Sequence, residues 1–497
     1  MILDGLGQLL SDPNLLALFA AGVLGGCLFG AIPGVNMLTL GAVLLPFTAQ
    51  MVPSHAIMLY GVIYCSGVFG GAITAILFNI PGAPENAPTA IDGYKLTLKG
   101  EASRAVGAAV LYSALGGIVS CILMIAATPL VAGFAIRAFG PPEVFALILF
   151  GLAISMTVGA ASPLKGALSV GAGLLIATIG SDPADGVGRY DFGSYYLLAG
   201  IHFIPVLLGL FAVSEVLAQL IGGAALRPGT ARVGLGLPRL RELWAMRATA
   251  TRSAGIGLLA GVVPGIGAVL AAFLSYSAAA RLDGGRIGEG DIRGVVASET
   301  ANNAATGSAM IPLLALGLPG GALTAMMLSV FQIHGIVPGP LVFATSTDLV
   351  GLLFAGMLLA NVAIFGLGWL QTKTVVHILR IPFHLLAPAI LVTALVGAYA
   401  LRNLVLDVWV MAAAGVVGLF IRRTGYSIPG LVLGLVLGGI GESSFSKAMQ
   451  MLDYQPLRLL ERPLTAAFLA LAAISFLGWT VDAIRSQRAA ATLSRAS

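Results

Sequence analysis

Between Leu59 and Phe78 the chain runs for about twenty residues without a charge. A helix of that length rises about 30 Å, the thickness of a bilayer's hydrocarbon core. The run then meets Asn79-Ile-Pro-Gly-Ala-Pro-Glu-Asn-Ala-Pro-Thr-Ala-Ile-Asp-Gly-Tyr94. Pro81, Pro84 and Pro88 remove three backbone donors, and Gly82 releases the chain from helical geometry. Such a segment either leaves the membrane as a water-exposed loop or stops inside it. Non-helical backbone at membrane depth is tolerated only when it is buried in protein or lines a wet cavity. This break also carries Glu85, Asn86 and Thr89, which are ligand-binding side chains.

Similar runs recur along the chain, which is 58% hydrophobic and only 9% charged, against about 25% charged in a soluble protein. The fold class is therefore an all-α polytopic membrane protein of about ten to twelve crossings with broken or re-entrant helices. Alternating ten-residue segments are missing, which excludes an outer-membrane barrel. Cys27, Cys65 and Cys121 sit singly in apolar runs and read as packing residues. Gly22, Gly26 and Gly30, and likewise Gly430, Gly434 and Gly438, are four apart and read as close helix contacts.

No basic residue precedes Lys95, and none lies between Arg293 and Lys373, whereas residues 226–252 carry six arginines against Glu242 alone. By the positive-inside rule this linker, the Lys95–Arg104 loop, Arg422-Arg423 and the basic tail face the cytoplasm. The acidic start, with Asp4 and Asp12, faces the other side, and its first apolar run is read as a retained span. The modest charge of +5 comes from these loops and implies membrane lipid, not nucleic acid, as surroundings. Lys165, after Ser162-Pro163, reads as a snorkelling residue at a span end, and Asp182, Asp185, Arg189 and Asp191 as a solvated loop.

The linker separates two halves that echo one another: 1–225 and 253–462, followed by a helix and tail at 463–497. Gly30-Ala-Ile-Pro33-Gly34 recurs as Gly261-Val-Val-Pro264-Gly265. Ile80-Pro81-Gly82 recurs as Leu318-Pro319-Gly320, roughly fifty residues further on in both cases. An ordered pair repeated in both halves points to duplication. Interrupted spans at matching positions mark a transporter's binding site, with the halves inverted relative to each other. Pro33, Gly34, Pro81, Gly82, Pro264, Gly265, Pro319 and Gly320 are the expected hairpin tips.

The polar content near these tips indicates the chemistry. Asn36 follows the first, Glu85, Asn86 and Thr89 follow the second, and Ser298-Glu-Thr-Ala-Asn302-Asn303-Ala-Ala-Thr-Gly-Ser308 precedes the last. Ser, Thr and Asn also cap helices, but two adjacent asparagines exceed what a cap needs. Polar residues this dense in an apolar setting are costly unless they meet a cavity or partners. Helix N-termini suit a carboxylate. Neither stretch holds a Lys or Arg, so an anion's charge falls to backbone dipoles and a co-bound Na+ or H+. Asn36, Asn86, Thr89, Ser298, Asn302 and Asn303 are the expected substrate contacts. Glu85 and Glu299 either form a cation site near the tips or brace them. Hydrolase, metalloprotease and phosphate-loop motifs are missing, so the chain is not read as an enzyme.

Taken together, Gly30–Asn36, Leu45-Pro-Phe-Thr48, Ile80–Tyr94 with Lys99-Gly-Glu101, Leu258–Tyr276, Ser298–Leu323, His334–Pro340 and Leu385–Trp409 resemble the large membrane subunit of the tripartite tricarboxylate transporters, the TctA family. Ser298-Glu299-Thr300 departs from the family's usual Pro-Glu-Ser but keeps the carboxylate and a hydroxyl. The resemblance implies an ion-gradient-driven importer of organic carboxylates in the bacterial inner membrane. It also implies a small four-span membrane subunit and a periplasmic solute-binding protein as partners. A stand-alone carrier for a small anion is the alternative.

Overall fold

The computed structural model describes residues 1–32, 36–156, 162–182, 185–222, 236–263, 267–284, 286–378 and 383–496. Pro33, Gly34, Pro264 and Gly265 lie outside them. The first half runs through α1 (Ile2–Ser11), α2 (Pro13–Ala31), α3 (Met37–Thr48), α4 (Pro53–Phe78), α5 (Ala87–Leu98), α6 (Ala102–Ala138), α7 (Pro141–Ser155) and α8 (Pro163–Ala177). Short α9 (Tyr195–Leu198) and α10 (Phe203–Leu207) follow, and α10 continues through a wide π turn into α11 (Ser214–Gly222). The second half contains α12 (Leu240–Val262), α13 (Gly267–Leu282), α14 (Ile292–Ser308), α15 (Met310–Leu316), α16 (Ala322–Ile333) and α17 (Val342–Thr345). It ends with α18 (Thr347–Ile378), α19 (Phe383–Arg402), α20 (Val405–Thr424), α21 (Ile428–Met451) and α22 (Pro463–Ala496). Seven helices among the described residues are long and apolar enough to cross a membrane, with shorter apolar helices between them.

Local chemistry sets the boundaries. Asp12 accepts from the amides of Asn14 and Leu15, and Pro13 opens α2. Helix α4 opens at Pro53 and stops where Asn79 turns left-handed (φ 58°), its amide bonded to the Thr74 carbonyl. Gly317 ends α15 in the same way at φ 73°. Both glycine stripes make the close contacts expected of them. A Cβ on Gly26 would lie 2.0 Å from Ser66 Oγ of α4, and one on Gly434 2.3 Å from the Val170 carbonyl of α8.

The two halves use one order of parts: long helix, break, short helix, long helix, break, short helix. The short helices pair across the halves. The C-terminal ends of α3 and α16 border one cavity on one face of the molecule. On the opposite face the end of α5 is tied to the loop after α13, where Lys95 and Lys99 donate to the carbonyls of Gly288, Glu289 and Gly290. Arg104 pairs with Glu242 (3.0 Å) at the end of the arginine-rich linker, on the face with the Lys95–Arg104 loop. Lys165 ends a span there as well, donating to the Thr424 carbonyl at 2.5 Å.

Asp182, Asp185, Arg189 and Asp191 stand in a partly exposed loop, as expected, but two of them are ion-paired. Gly180–Ser181 and Gly188–Arg189 pair as an antiparallel hairpin, and Arg189 bridges Asp182 (3.0 Å) and Glu442 of α21 (2.5 Å). The polar run 298–308, which precedes the last break, lies inside the continuous α14, and every residue of the run is buried. Ser298, Thr300, Asn303 and Ser308 each donate to the carbonyl four residues earlier, so these donors are met within the helix.

Where the chain breaks, it packs backbone on backbone. A Cβ on Gly82 would lie 1.8 Å from the Gly30 carbonyl oxygen, and one on Gly320 3.1 Å from that of Gly261. Each second break thus sits on the end of its own half's first long helix. A methyl at Gly82 has only main chain to displace, so Gly82→Ala should lower stability by at least about 1–3 kcal/mol. Gly133→Ala in α6, with nothing within 4 Å, should stay within about 0.5 kcal/mol. Thermal unfolding in detergent measures both.

Candidate functional site

Four helices begin around one small cavity of about 80 Å³. Met37 and Leu38 open α3; Pro84 and Glu85 form the turn before α5; Gly267, Ala268 and Val269 open α13; and Gly321, Ala322 and Leu323 open α16. Tyr64, Pro429 and Leu433 close its sides. Each helix start carries roughly half a positive charge on its unpaired amides, so all four dipoles favour an anion at the same point. Asn36 accepts from the amides of Leu38 (3.0 Å) and Thr39 (3.2 Å), whereas at α16 the N-cap is Gly321, whose own amide is taken by Thr324 Oγ1 (2.7 Å). Among the described residues, no Lys, Arg or His lines this cavity.

Behind it lies a buried carboxylate. Glu299 Oε1 accepts from Thr89 Oγ1 (2.5 Å), Asn86 Nδ2 (3.4 Å) and Asn302 Nδ2 (3.4 Å). Glu299 Oε2 accepts from Ser113 Oγ (2.9 Å) and Asn303 Nδ2 (3.5 Å). All these donors are neutral, and all these residues are fully buried. Asn302 Nδ2 also reaches the Glu85 carbonyl (3.4 Å), and Thr89 and Ser298 share a 2.7 Å hydroxyl contact. The network therefore pins the second break of the first half to α14 of the second. Glu85 is 3% exposed, and among the described residues its Oε1 has no partner; the amide oxygens of Asn86 and Asn303 have none there either.

Five of the six expected substrate contacts, Asn86, Thr89, Ser298, Asn302 and Asn303, thus gather on or beside Glu299. Asn36 stands apart as the cap of α3. The expected tips Pro81, Gly82, Pro319 and Gly320 belong to the turns that deliver α5 and α16 to the cavity. Sequence reasoning missed Ser113, one small polar residue in an apolar helix, and Ala268, which carries no polar signal at all. It also missed Asp92, fully buried at the opposite end of α5. Asp92 accepts from the amides of Gly288, Gly290 and Asp291 and from the Tyr276 hydroxyl at 2.7–3.0 Å. The dense acceptor–donor pattern between Asp92 and residues 288–291 is the only hint, and it is invisible without the fold. Nearby, burial works to raise the Asp291 carboxyl, but hydrogen bonds from Arg293 outweigh it and hold it below the usual carboxylate range.

A larger cavity, about 400 Å³, opens on the face shared by α3 and α16 and is lined by Gln50, His202, Ser329, Gln332 and Arg402. It is the poorer anion site. Helices α3 and α16 turn their negative ends toward it. Arg402 is bound by Asp407, and burial, then Arg402 itself, holds His202 down to about 4 and so neutral.

Residues 16–433 match the model of the family described as "Tripartite tricarboxylate transporter TctA family". An Agrobacterium vitis protein described as an uncharacterized 52.8 kDa protein in the 3′ region of TAR-I ttuC′ is 35% identical, covering 97% of this chain and 96% of its own. A second from the same organism, uncharacterized and in the 3′ region of TAR-II ttuC′, is 35% identical over 47% of this chain and 97% of its own. No solved structure matches.

Removing one donor from the Glu299 network should be costly. Thr89→Val leaves Oε1 without its shortest bond and should destabilise the folded protein by about 1–3 kcal/mol. Thr89→Ser should restore most of that. Thermal unfolding of both variants in detergent checks the difference.

Proposed function

The chain belongs to the tripartite tricarboxylate transporter TctA family, and from that premise we propose that it moves a carboxylate through the cavity where α3, α5, α13 and α16 begin. TctA is a transporter family and not an enzyme family, so the protein is a component of a tricarboxylate transporter and a multi-pass protein of the bacterial inner membrane. Membership of a tripartite family implies membrane and binding-protein partners. In our reading these are a small four-span subunit and a periplasmic solute-binding protein, and a Na+ or H+ gradient drives uptake.

The observation that carries the reading is the meeting of four helix starts at a cavity without a basic side chain. Backbone amides and dipoles can bind a carboxylate reversibly, whereas a desolvated guanidinium pair would hold it tightly. Helices α3 and α16 lead from the cavity to one face, and α5 and α13 to the other. Together with the paired contacts Gly82–Gly30 and Gly320–Gly261, that supports an inverted duplication. Access then alternates as the tip-bearing hairpins shift against α4, α6 and α18. Asn86, Thr89, Ser298, Asn302 and Asn303 act mainly by shaping the cavity's wall around Glu299, and Asn36 by fixing the start of α3.

A charge placed among the helix starts tests this. At about 4 Å, an added carboxylate repels a bound one by about 4 kcal/mol at an effective dielectric of 20. In sealed vesicles holding the complete complex, Ala268→Asp should take up labelled tricarboxylate at least about tenfold more slowly than Ala268→Asn. Equal uptake by the two variants would remove the cavity from the pathway. Asn302→Ala combined with Asn303→Ala should also lower uptake while the complex still assembles; unchanged uptake would remove the asparagines from the site.

A further inference from the structure

Two carboxylates, Glu85 and Glu299, are buried in one polar network, in which Asn302 donates to the main-chain carbonyl of Glu85 and to the carboxylate of Glu299. Every group bonded to Glu299 is neutral. Burying ionised carboxyl groups without a compensating cation is costly, so the cluster has a need for positive charge that the chain itself does not meet. The second sign is independent of that count. Glu85, a buried residue of the cavity wall, has no partner for its Oε1 among the described residues, and the amide oxygens of Asn86 and Asn303 are unpaired acceptors there as well.

We propose that the Glu85–Glu299 cluster is a Na+ site built from carboxylate and amide oxygens, with Glu85 as the side chain that faces the substrate cavity. The proposal rests on the carboxylate-transport reading and adds the place of the coupling ion. The donor set decides between a metal ion and a proton. A proton on Glu85 supplies one donor to one acceptor, whereas a hard cation takes several oxygen ligands at once. Bound there, the cation neutralises the cavity wall next to the incoming anion, so each favours the other's binding.

The test reads ion binding without transport. The purified complex is titrated with NaCl against choline chloride at constant ionic strength, without carboxylate, while its melting temperature is followed. Wild type should gain at least about 2 °C with Na+. Glu85→Gln breaks no side-chain bond to Oε1 and should lose that gain, and Glu299→Gln should shift the Na+ midpoint at least tenfold. A Glu85→Gln variant that folds and keeps the wild-type Na+ response overturns the site. So does a wild type that responds to pH alone, which would assign the charge to a proton. A Na+ gain lost in both variants, with no carboxylate taken up by wild type, would uphold the ion site and sink the transport reading instead.

Discussion

A helix that stops inside a bilayer strands several amides and carbonyls where no water can reach them, and the structure depends on how that demand is met. Here the breaks are covered by protein. Gly82 lies on the end of α2 and Gly320 on the end of α12, so close that no side chain fits at Gly82. These contacts let four short helices start in the interior, and among the described residues their starts are the strong positive features around the central cavity. The binding chemistry proposed for the cavity is therefore a product of backbone geometry, not of charged side chains.

Glu299 plays the complementary part. It sits on α14 of the second half and gathers donors from the break before α5, from α5 itself and from α6. A single carboxylate thus couples the two halves at membrane depth, while Asp92 couples them again at the face with the Lys95–Arg104 loop, on three backbone amides. The first contact lies against the cavity and the second at the far end of the same helix. Movement of α5 consequently has to disturb one or both.

Much of this was legible in the residues. Proline and glycine interrupting an uncharged run can only mean a break, and Asn302-Asn303 in apolar surroundings can only persist with partners. The glycine stripes gave away α2 on α4 and α21 on α8. What the chain did not reveal was which polar groups would find one another. Ser298 to Ser308 has the side chains of a cap, yet several of them bond back into α14. Ser113 and Ala268 are ordinary residues whose importance comes from what sequence-distant helices bring beside them. Arg189 looked solvated because its partner, Glu442, is some 250 residues away.

The central claim is that an anion is received by main-chain dipoles at the meeting of four helix starts. The most direct measurement is a cryo-EM map of the complete complex with a tricarboxylate bound. The account predicts ligand density within hydrogen-bond reach of the first-turn amides of α3, α13 or α16, beside Glu85. Density lodged instead between His202 and Arg402, with the inner cavity collapsed, would contradict it.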